Sequence, residues 1–397
     1  MTLSFILFMK SRDGNFLLST PNMGNILSPP EHTIVLIPPR ISTRGLTRPI
    51  EIENPFIVGF GNLFRKEVLD DLHNFEGSVS LDVLLAPETP PILAAHLSMM
   101  GSSVSRQVQG GSLTLHLDSP IGAGIHALGR LALGSLGGLT GYSMLSYSVP
   151  WGKLSLTGVS EGRSDHWIGL RGSGKSLTLG AEIPLSSDYN KRVKAWAMSR
   201  IAESVTIGIL GTPFPTGDPQ IEVSASIDRR IPNSDSSYCV SAKLSNCCLP
   251  DPELTVGFTQ HLVTHRKVYN PFEDKRVKFI ANYVDIAVEA TSGGRIAGGV
   301  SWQPNKNLLS KLHVSTDKGV VVSFAARNWW VPSVLTSASA GLDIKGTPFL
   351  GLKLQVSNWL SSVEYSKGQS VSDLPATKWL PLENVSSSVY NSSNRFI

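Results

Sequence analysis

Residues 112–118 read Ser-Leu-Thr-Leu-His-Leu-Asp, with leucine at every second position and polar side chains between the leucines. A period of two places the leucines on one face of a β-strand and the polar side chains on the other. The same alternation returns in residues 154–158, 177–183, 221–227 and 320–326. Such segments, separated by Gly, Pro, Asn, Asp and Ser, continue over residues 74–359. The pattern predicts one long meander of half-buried strands.

The composition indicates where such strands would lie. Charged residues make up only 17% of the 397 residues, hydrophobic residues make up 41%, and there are 36 glycines. A soluble domain has about a quarter of its residues charged. Low charge with ordinary hydrophobicity suits strands that show one face to lipid and the other to water. The net charge of +4 gives no argument for nucleic acid as a partner.

Membrane strands are also favoured by the length of the repeat. No run of about twenty apolar residues is present in the sequence, so a membrane-spanning helix is not expected and a membrane protein would have to be a closed barrel. About nineteen alternating segments, each with about fifteen residues including its turn, match tilted membrane-spanning strands. The predicted fold is therefore all-β, a transmembrane β-barrel of about 19 strands with an N-terminal amphipathic helix.

The flanking regions have a different texture. Residues 1–53 form a Pro-rich extension, which favours a flexible or surface-draped segment, with docking of short apolar clusters such as residues 34–37 as the alternative. Residues 54–73 have apolar side chains at helical spacing, which predicts an amphipathic helix inside or at the mouth of the barrel. Residues 360–397 form a polar tail rich in Ser and Asn.

Motifs for enzyme chemistry occur in the wrong context. Residues 169–176, Gly-Leu-Arg-Gly-Ser-Gly-Lys-Ser, match a phosphate-binding loop, but period-two residues and Pro184 follow where that loop needs a helix. His261 and His265 have a spacing that brings two rings to one metal on a helix but separates them on a strand. Three cysteines without regular spacing indicate neither disulfides nor zinc. We therefore expect no enzyme and no cofactor.

Two junctions carry a family resemblance. Residues 54–55 (Asn-Pro), 66–68 (Lys-Glu-Val) and 75–77 (Phe-Glu-Gly) lie around the passage from helix to first strand, and residues 351–356 read Gly-Leu-Lys-Leu-Gln-Val. These stretches resemble the eukaryotic mitochondrial porin superfamily, which contains the voltage-dependent anion channel and the channel subunit of the outer-membrane protein translocase. Phe349 stands where that family has a polar residue. The resemblance implies sorting-signal roles for Gly351, Leu354 and Val356.

The expected function is a porin-like channel for passive passage of ions and small metabolites. The alternatives are a protein-translocating pore of a mitochondrial import complex, a non-conducting barrel scaffold, and a soluble all-β binding protein. The resemblance implies the mitochondrial outer membrane, with the plastid outer envelope as the alternative. Expected partners are the lipid bilayer and either small helical membrane subunits or further copies of the barrel. Charged residues in or beside alternating segments are the candidates for the lumen wall: Arg130, Lys153, Arg171, Lys243, Lys278, Arg295 and Lys353.

Overall fold

The computed structural model describes residues 34–38, 41, 55–69, 78–85, 92–102, 107–122, 124–134, 138–161, 165–174, 176–185, 193–212, 220–231, 236–247, 251–267, 277–328, 333–357 and 366–368. These residues form 21 strands and two short helices. The helices are α1 (Pro55–Val58) and α2 (Asn62–Leu69). The first strands are β1 (Ile34–Ile37), β2 (Ser78–Leu85), β3 (Ile92–Ser102), β4 (Gln107–Gly122), β5 (Ile125–Gly134), β6 (Gly138–Val149), β7 (Gly152–Glu161), β8 (Asp165–Gly174), β9 (Leu177–Pro184) and β10 (Lys194–Ala202). The remaining strands are β11 (Val205–Gly211), β12 (Ile221–Arg230), β13 (Ser237–Ser245), β14 (Glu253–Lys267), β15 (Val277–Thr291), β16 (Ile296–Gln303), β17 (Leu308–Ser315), β18 (Gly319–Asn328), β19 (Ser333–Leu342), β20 (Pro348–Ser357) and β21 (Ser366–Gly368).

Strands β2 to β20 follow one another in a single antiparallel meander. Each pairs with the next strand along the chain. Strand β2 also pairs with β20, in parallel, from Val79 opposite Leu352 to Leu84 opposite Ser357. The succession of hydrogen-bonded strands therefore returns to β2. The predicted all-β antiparallel architecture is confirmed.

An odd number of strands explains the parallel pair. Consecutive strands of a meander alternate in direction, so the first and the nineteenth run the same way. Strands β2 and β20 hence begin at one rim of the sheet and end at the other. We call the rim where β2 begins the first rim and the rim where β20 ends the second rim.

The two faces of the sheet differ in polarity. In β18 the side chains of Val320, Val322 and Phe324 are exposed, whereas those of Ser323 and Arg327 are buried. The same alternation separates exposed Leu and Ile from buried Ser, Thr, Lys and His in many of the other strands. We call these the exposed face and the covered face. Neighbouring residues of a strand point to opposite faces, so one period-two pattern produces both.

The helical region differs from the predicted single helix over residues 54–73. A turn separates α1 from α2, and in it Phe60 and Gly61 have φ values of 57° and 71°. These left-handed values end the first helix, because a right-handed α-helix requires a negative φ at every residue. Residues 54 and 70–73 lie outside the described residues. Among the described residues, no helix is long and apolar enough to cross a bilayer.

Candidate functional site

The helical segment, residues 55–69, packs on the covered face. Phe56 and Phe60 are 2% and 6% exposed and form an edge-to-face pair with ring centroids 5.5 Å apart. Both belong to a buried cluster with Trp196 and Met198 of β10. Apolar contact of this kind stabilises by about 2 kcal/mol for each fully buried large side chain. The first helix is therefore attached to the wall by its aromatic side chains.

The far end of the segment is held by a second apolar cluster. Val68 and Leu69 pack with Ala287 of β15 and Ala297 of β16. Lys311 of β17 donates a hydrogen bond from Nζ to the carbonyl oxygen of Glu67, at 2.6 Å. A cation near the C-terminal turn also complements the helix dipole. The segment thus lies across the covered face from β10 to β17.

Glycines in the wall make room for this segment. A Cβ atom added at Gly208 would lie 2.7 Å from Phe60 Cζ, and one added at Gly257 would lie within van der Waals overlap of the Arg65 guanidinium. At Gly299 the same atom would meet Leu69 Cδ2 at 3.0 Å. Gly61, in turn, leaves space for the thiol of Cys239. The three wall glycines therefore leave a shallow depression on the covered face, into which the segment packs.

Arg65 anchors the segment electrostatically. Its Nε lies 2.6 Å from Oε2 of Glu289, and its Nη1 donates a hydrogen bond of 2.9 Å to Ser241 Oγ. Glu289 Oε1 also lies 4.0 Å from Arg295, whose Nε is 3.0 Å from Asp317 Oδ2. Four charges of alternating sign therefore connect the buried helix to the turn between β17 and β18. Pairing of this kind offsets the large cost of burying the guanidinium.

The outer end of this chain of charges lies in solvent at the first rim. Asp317 occupies the turn at residues 316–318, outside the strands. Partial burial raises the pKa of Asp317, but a hydrogen bond with Ser315 and the positive charge of Arg295 together hold that pKa below its ordinary value. The Asp317 carboxylate is therefore ionised at neutral pH and available to Arg295.

A second polar pair lies under the middle of the segment. His261 Nδ1 is hydrogen-bonded to Asp285 Oδ1, and the imidazole is almost fully buried. The ring of Phe64 stands edge-on above this imidazole, with the centroids 6.4 Å apart. His261 and His265 both lie in β14. A spacing of four residues keeps two side chains apart on a strand, which is the strand case considered from the sequence. Among the described residues, no group of three potential metal ligands occurs.

The residues before the helices also contact the covered face. The hydroxyl of Tyr283 in β15 donates a hydrogen bond of 3.2 Å to the carbonyl of Pro38. The backbone N–H of Ile41 donates to Gln303 Oε1 at 3.0 Å, and the Ile41 side chain packs with Leu309 and Leu335. Residues 34–38 and 41 thus contact the wall from β15 toward β19. The Pro-rich composition favoured a flexible or surface-draped extension, so the docking of the apolar cluster at residues 34–37 is the alternative to that expectation.

The residues predicted for the lumen wall fall into three groups. Lys153, Arg171, Lys243 and Lys353 are half-buried and alternate with exposed apolar neighbours, which places them on the covered face. Arg295 lies in the turn before β16, where it forms the ion pairs above. Arg130 and Lys278 belong to β5 and β15, but their side chains lie outside the described residues. The structure therefore spreads these cations around the sheet and does not gather them into one cluster.

The remaining predicted positions are found in β8, β9 and β20. Gly351, Leu354 and Val356 all lie in β20, with Gly351 on the covered face and Leu354 on the exposed face. The sequence that matches a phosphate-binding loop forms the end of β8 and the turn into β9, which pair antiparallel. That match has no helix after it, as predicted. These residues therefore do not provide the backbone N–H groups of a helix N-terminus, which a phosphate-binding loop requires.

The sequence has Trp and Tyr near several predicted strand ends, a placement typical of the aromatic girdle at a membrane surface. Tyr147, Trp151 and Trp302 are 49%, 60% and 49% exposed. Trp167 differs, because it is half-buried on the covered face with the ammonium of Lys194 5.1 Å from its ring centroid. Trp329, Trp330 and Trp359 lie outside the described residues. Three of the seven aromatic positions are thus exposed near strand ends.

Sequence reasoning missed the residues that join the segment to the wall. Arg65, Glu289 and Lys311 are single charges far apart in the chain, and only the tertiary fold brings the segment to these positions of the wall. No protein-family model and no curated protein sequence matches this chain. The site is therefore interpreted from its own geometry.

Proposed function

We propose that strands β2–β20 form a transmembrane β-barrel that acts as a passive, porin-like channel, with its exposed face toward lipid and its covered face toward the lumen. The observation that carries this proposal is the polarity of the two faces. Phe324, Leu170 and Leu350 are 61%, 63% and 57% exposed, while Ser323, Thr178 and Gln355 are at most 4% exposed. A water-soluble sheet would have the opposite arrangement.

The extent of the apolar surface strengthens this proposal. Large apolar side chains are exposed on strands from β2 through β20, including Leu81, Leu156, Ile209 and Leu354. Monomeric soluble proteins rarely expose continuous apolar patches beyond a few hundred Å². Lipid can surround such an apolar surface on all sides, because hydrocarbon chains neither donate nor accept hydrogen bonds.

The strand lengths agree with the same proposal. Most of the strands β2–β20 have eight to twelve residues, and β14 and β15 have fifteen each. A tilted strand needs about nine to eleven residues to cross the hydrocarbon core. Because β2 pairs with both β3 and β20, a barrel made of these strands has no free edge. Closure satisfies the backbone N–H and C=O groups that lipid cannot hydrogen-bond.

The covered face has the chemistry of a channel wall. Ser337 Oγ, Ser339 Oγ and Gln355 Oε1 are buried without a hydrogen-bond partner in the part of the chain that the structure describes. A dry apolar core would leave each of these groups at a cost of about 1–3 kcal/mol, so this face fits the polar interior of a barrel better than an apolar core. Lys153 and Arg171 add positive charge to the same face. Passage would depend on pore width and wall charge, with no bond chemistry.

The helical segment narrows this pore. It lies against β10 to β17, so it occupies part of the lumen that the proposed barrel encloses. We place the channel in the mitochondrial outer membrane, on the resemblance to the mitochondrial porin superfamily, with the plastid envelope as the alternative. Lipid is the proposed partner of the exposed face.

Conductance tests the proposal directly. Purified protein inserted into planar bilayers should pass ions, with weak preference for anions, because the net charge is positive and cationic side chains lie on the covered face. The reversal potential in a salt gradient measures that preference. Membranes that stay non-conducting after many verified insertions would reject the channel function.

A non-conducting barrel is the second candidate. It is favoured by the same contacts, since residues 35–38 and 41 and the helical segment all contact the covered face of the wall. Deletion of residues 1–69 distinguishes the two. A channel should conduct in both forms, whereas a plugged scaffold should conduct only after the deletion.

A further inference from the structure

Strand β1, the first strand among the described residues, lies between two other strands at the second rim. One edge of β1 pairs in parallel with β15, where Val35 is opposite Phe279 and Leu36 is opposite Ile280. Its other edge pairs antiparallel with β21, from Val35 opposite Gly368 to Ile37 opposite Ser366. Both rows of backbone groups of this four-residue strand are therefore engaged.

The pairing with β15 uses an edge that the barrel leaves open. Strand β16 pairs with β15 from Tyr283 to Ala290, so residues 277–282 extend past the end of β16. Strand β1 occupies this overhang. An unpaired overhang is a site for strand addition, because its N–H and C=O groups lack partners.

Strand directions place β1 and β21 at the same rim. Strand β15 runs opposite to β20, so it begins at the second rim, and β1 begins there too because it is parallel to β15. The chain then passes the covered face through residues 55–69 and reaches the first rim, where β2 starts. Strand β21 follows β20, which ends at the second rim. The N-terminal chain therefore enters the lumen where the C-terminal residues leave the wall.

The burial of β1 indicates a fixed rather than a loose attachment. Val35, Leu36 and Ile37 are 0%, 3% and 5% exposed. Tyr283 binds the carbonyl of Pro38, immediately after the strand. With only four residues in β1, removal of either partner strand would leave a row of its backbone groups unpaired.

We propose that the C-terminal residues 366–368 act as a strap, pairing with β1 so that the N-terminal chain is held in the lumen. This inference rests on the proposed channel function, because the strap would regulate how much of the lumen the N-terminal chain fills. The partner on the edge of β1 that faces away from β15 is thus a segment of the same polypeptide. Release of β21 would loosen β1, and residues 34–69 would leave the wall more often.

A disulfide tests the contact itself. In a chain with Cys239→Ala, Cys247→Ser and Cys248→Ser, the pair Leu36→Cys and Lys367→Cys should cross-link under mild oxidation, because directly opposed residues of antiparallel strands have neighbouring Cβ atoms. The bond closes nearly the whole chain into a loop, so the oxidised protein should migrate faster in a non-reducing denaturing gel. Leu36→Cys with Ile344→Cys is the matched control, since Ile344 lies in a turn at the first rim.

Channel recordings then separate the strap from the channel. The oxidised Leu36→Cys/Lys367→Cys protein should spend less time in its highest conductance level than the reduced protein, and a chain ending at residue 360 should spend more. If neither the parent nor the variants conduct, the channel proposal fails. If the parent conducts while the cross-link does not form, or forms equally in the control pair, the strap is rejected. Equal conductance of oxidised and reduced protein would also reject its regulatory role.

Discussion

Arg65 is the charged side chain through which the helical segment meets the wall. The guanidinium is 8% exposed, its partner Glu289 is 19% exposed, and Ser241 accepts one of its hydrogen bonds. Ion pairs this far from water behave differently from pairs at a surface, because loss of one partner leaves the other charge buried and uncompensated. The attachment of the segment therefore depends on Glu289 as much as on Arg65.

Replacement of Glu289 tests this dependence. Glu289→Gln should destabilise the folded protein by about 3 kcal/mol, because it leaves the Arg65 guanidinium buried without a counter-charge. Denaturant unfolding of the detergent-solubilised protein measures the loss. Glu222→Gln is the control, since Glu222 pairs with Lys243 at 2.8 Å but both side chains are about a third exposed, and its expected cost is under about 1 kcal/mol. Equal losses in the two variants would contradict a special role for Glu289.

At the scale of elements, the helical segment and the glycines beneath it belong together. A strand interior normally disfavours glycine, which has no side chain to pack. Here Gly208, Gly257 and Gly299 lie where Phe60, Arg65 and Leu69 approach the wall. The close approach of the segment is the physical reason for a missing side chain at these three positions.

Two neighbouring glycines of β16 provide a matched test. At Gly299 a side chain would meet Leu69 and Val68, whereas at Gly298, on the exposed face, a Cβ meets nothing within 4 Å. Gly299→Leu should therefore displace the end of α2, with an overpacking cost of about 1–3 kcal/mol, while Gly298→Leu should leave the segment in place. Protease cleavage within residues 55–69 reports the displacement. Unchanged protection in Gly299→Leu would argue against this docking site.

At the scale of the whole molecule, the medium around the exposed face distinguishes a soluble protein from a membrane barrel. A soluble β-protein and a membrane barrel can share one pairing scheme, but they respond in opposite ways to a charge on an apolar surface. In water an added lysine improves solubility. On the lipid face of a barrel it costs about 2–4 kcal/mol at the middle of the bilayer.

Phe324 and Ile344 distinguish these environments. Both are large apolar residues, 61% and 64% exposed, but Phe324 lies in the middle of β18 and Ile344 lies in the turn before β20. Phe324→Lys should reduce the fraction of protein that resists carbonate extraction from membranes, and Ile344→Lys should leave it unchanged. Full tolerance of both lysines would favour a soluble protein over the barrel.

Much of the architecture was predictable because alternation is a local property. Seven consecutive residues such as 112–118 are enough to assign a strand and its two faces, and the turns are marked by residues with the required backbone freedom. The helix was predicted less well. Its apolar spacing continues through residue 60, but the left-handed conformations at Phe60 and Gly61 interrupt it, and helical spacing contains no information about such a break.

The functional contacts were not predictable for a different reason. Glu289 is more than two hundred residues from Arg65, and each is an ordinary charge in its own segment. Strand β21 has three residues and no alternation long enough to detect. Pairings between residues so far apart in the sequence depend on the register of many intervening strands.

By itself, the sequence determined an all-β chain with one apolar and one polar face, because side-chain direction follows from a period of two. Only the tertiary structure decided which face is exposed. The same alternation fits a sheet whose apolar face is buried and a sheet whose apolar face is exposed. It also decided that β2 pairs with β20, that residues 35–38, 41 and 55–69 lie on the covered face, and that Arg65 pairs with Glu289. These contacts join positions distant in the chain, and they exist only when all the strands are in register.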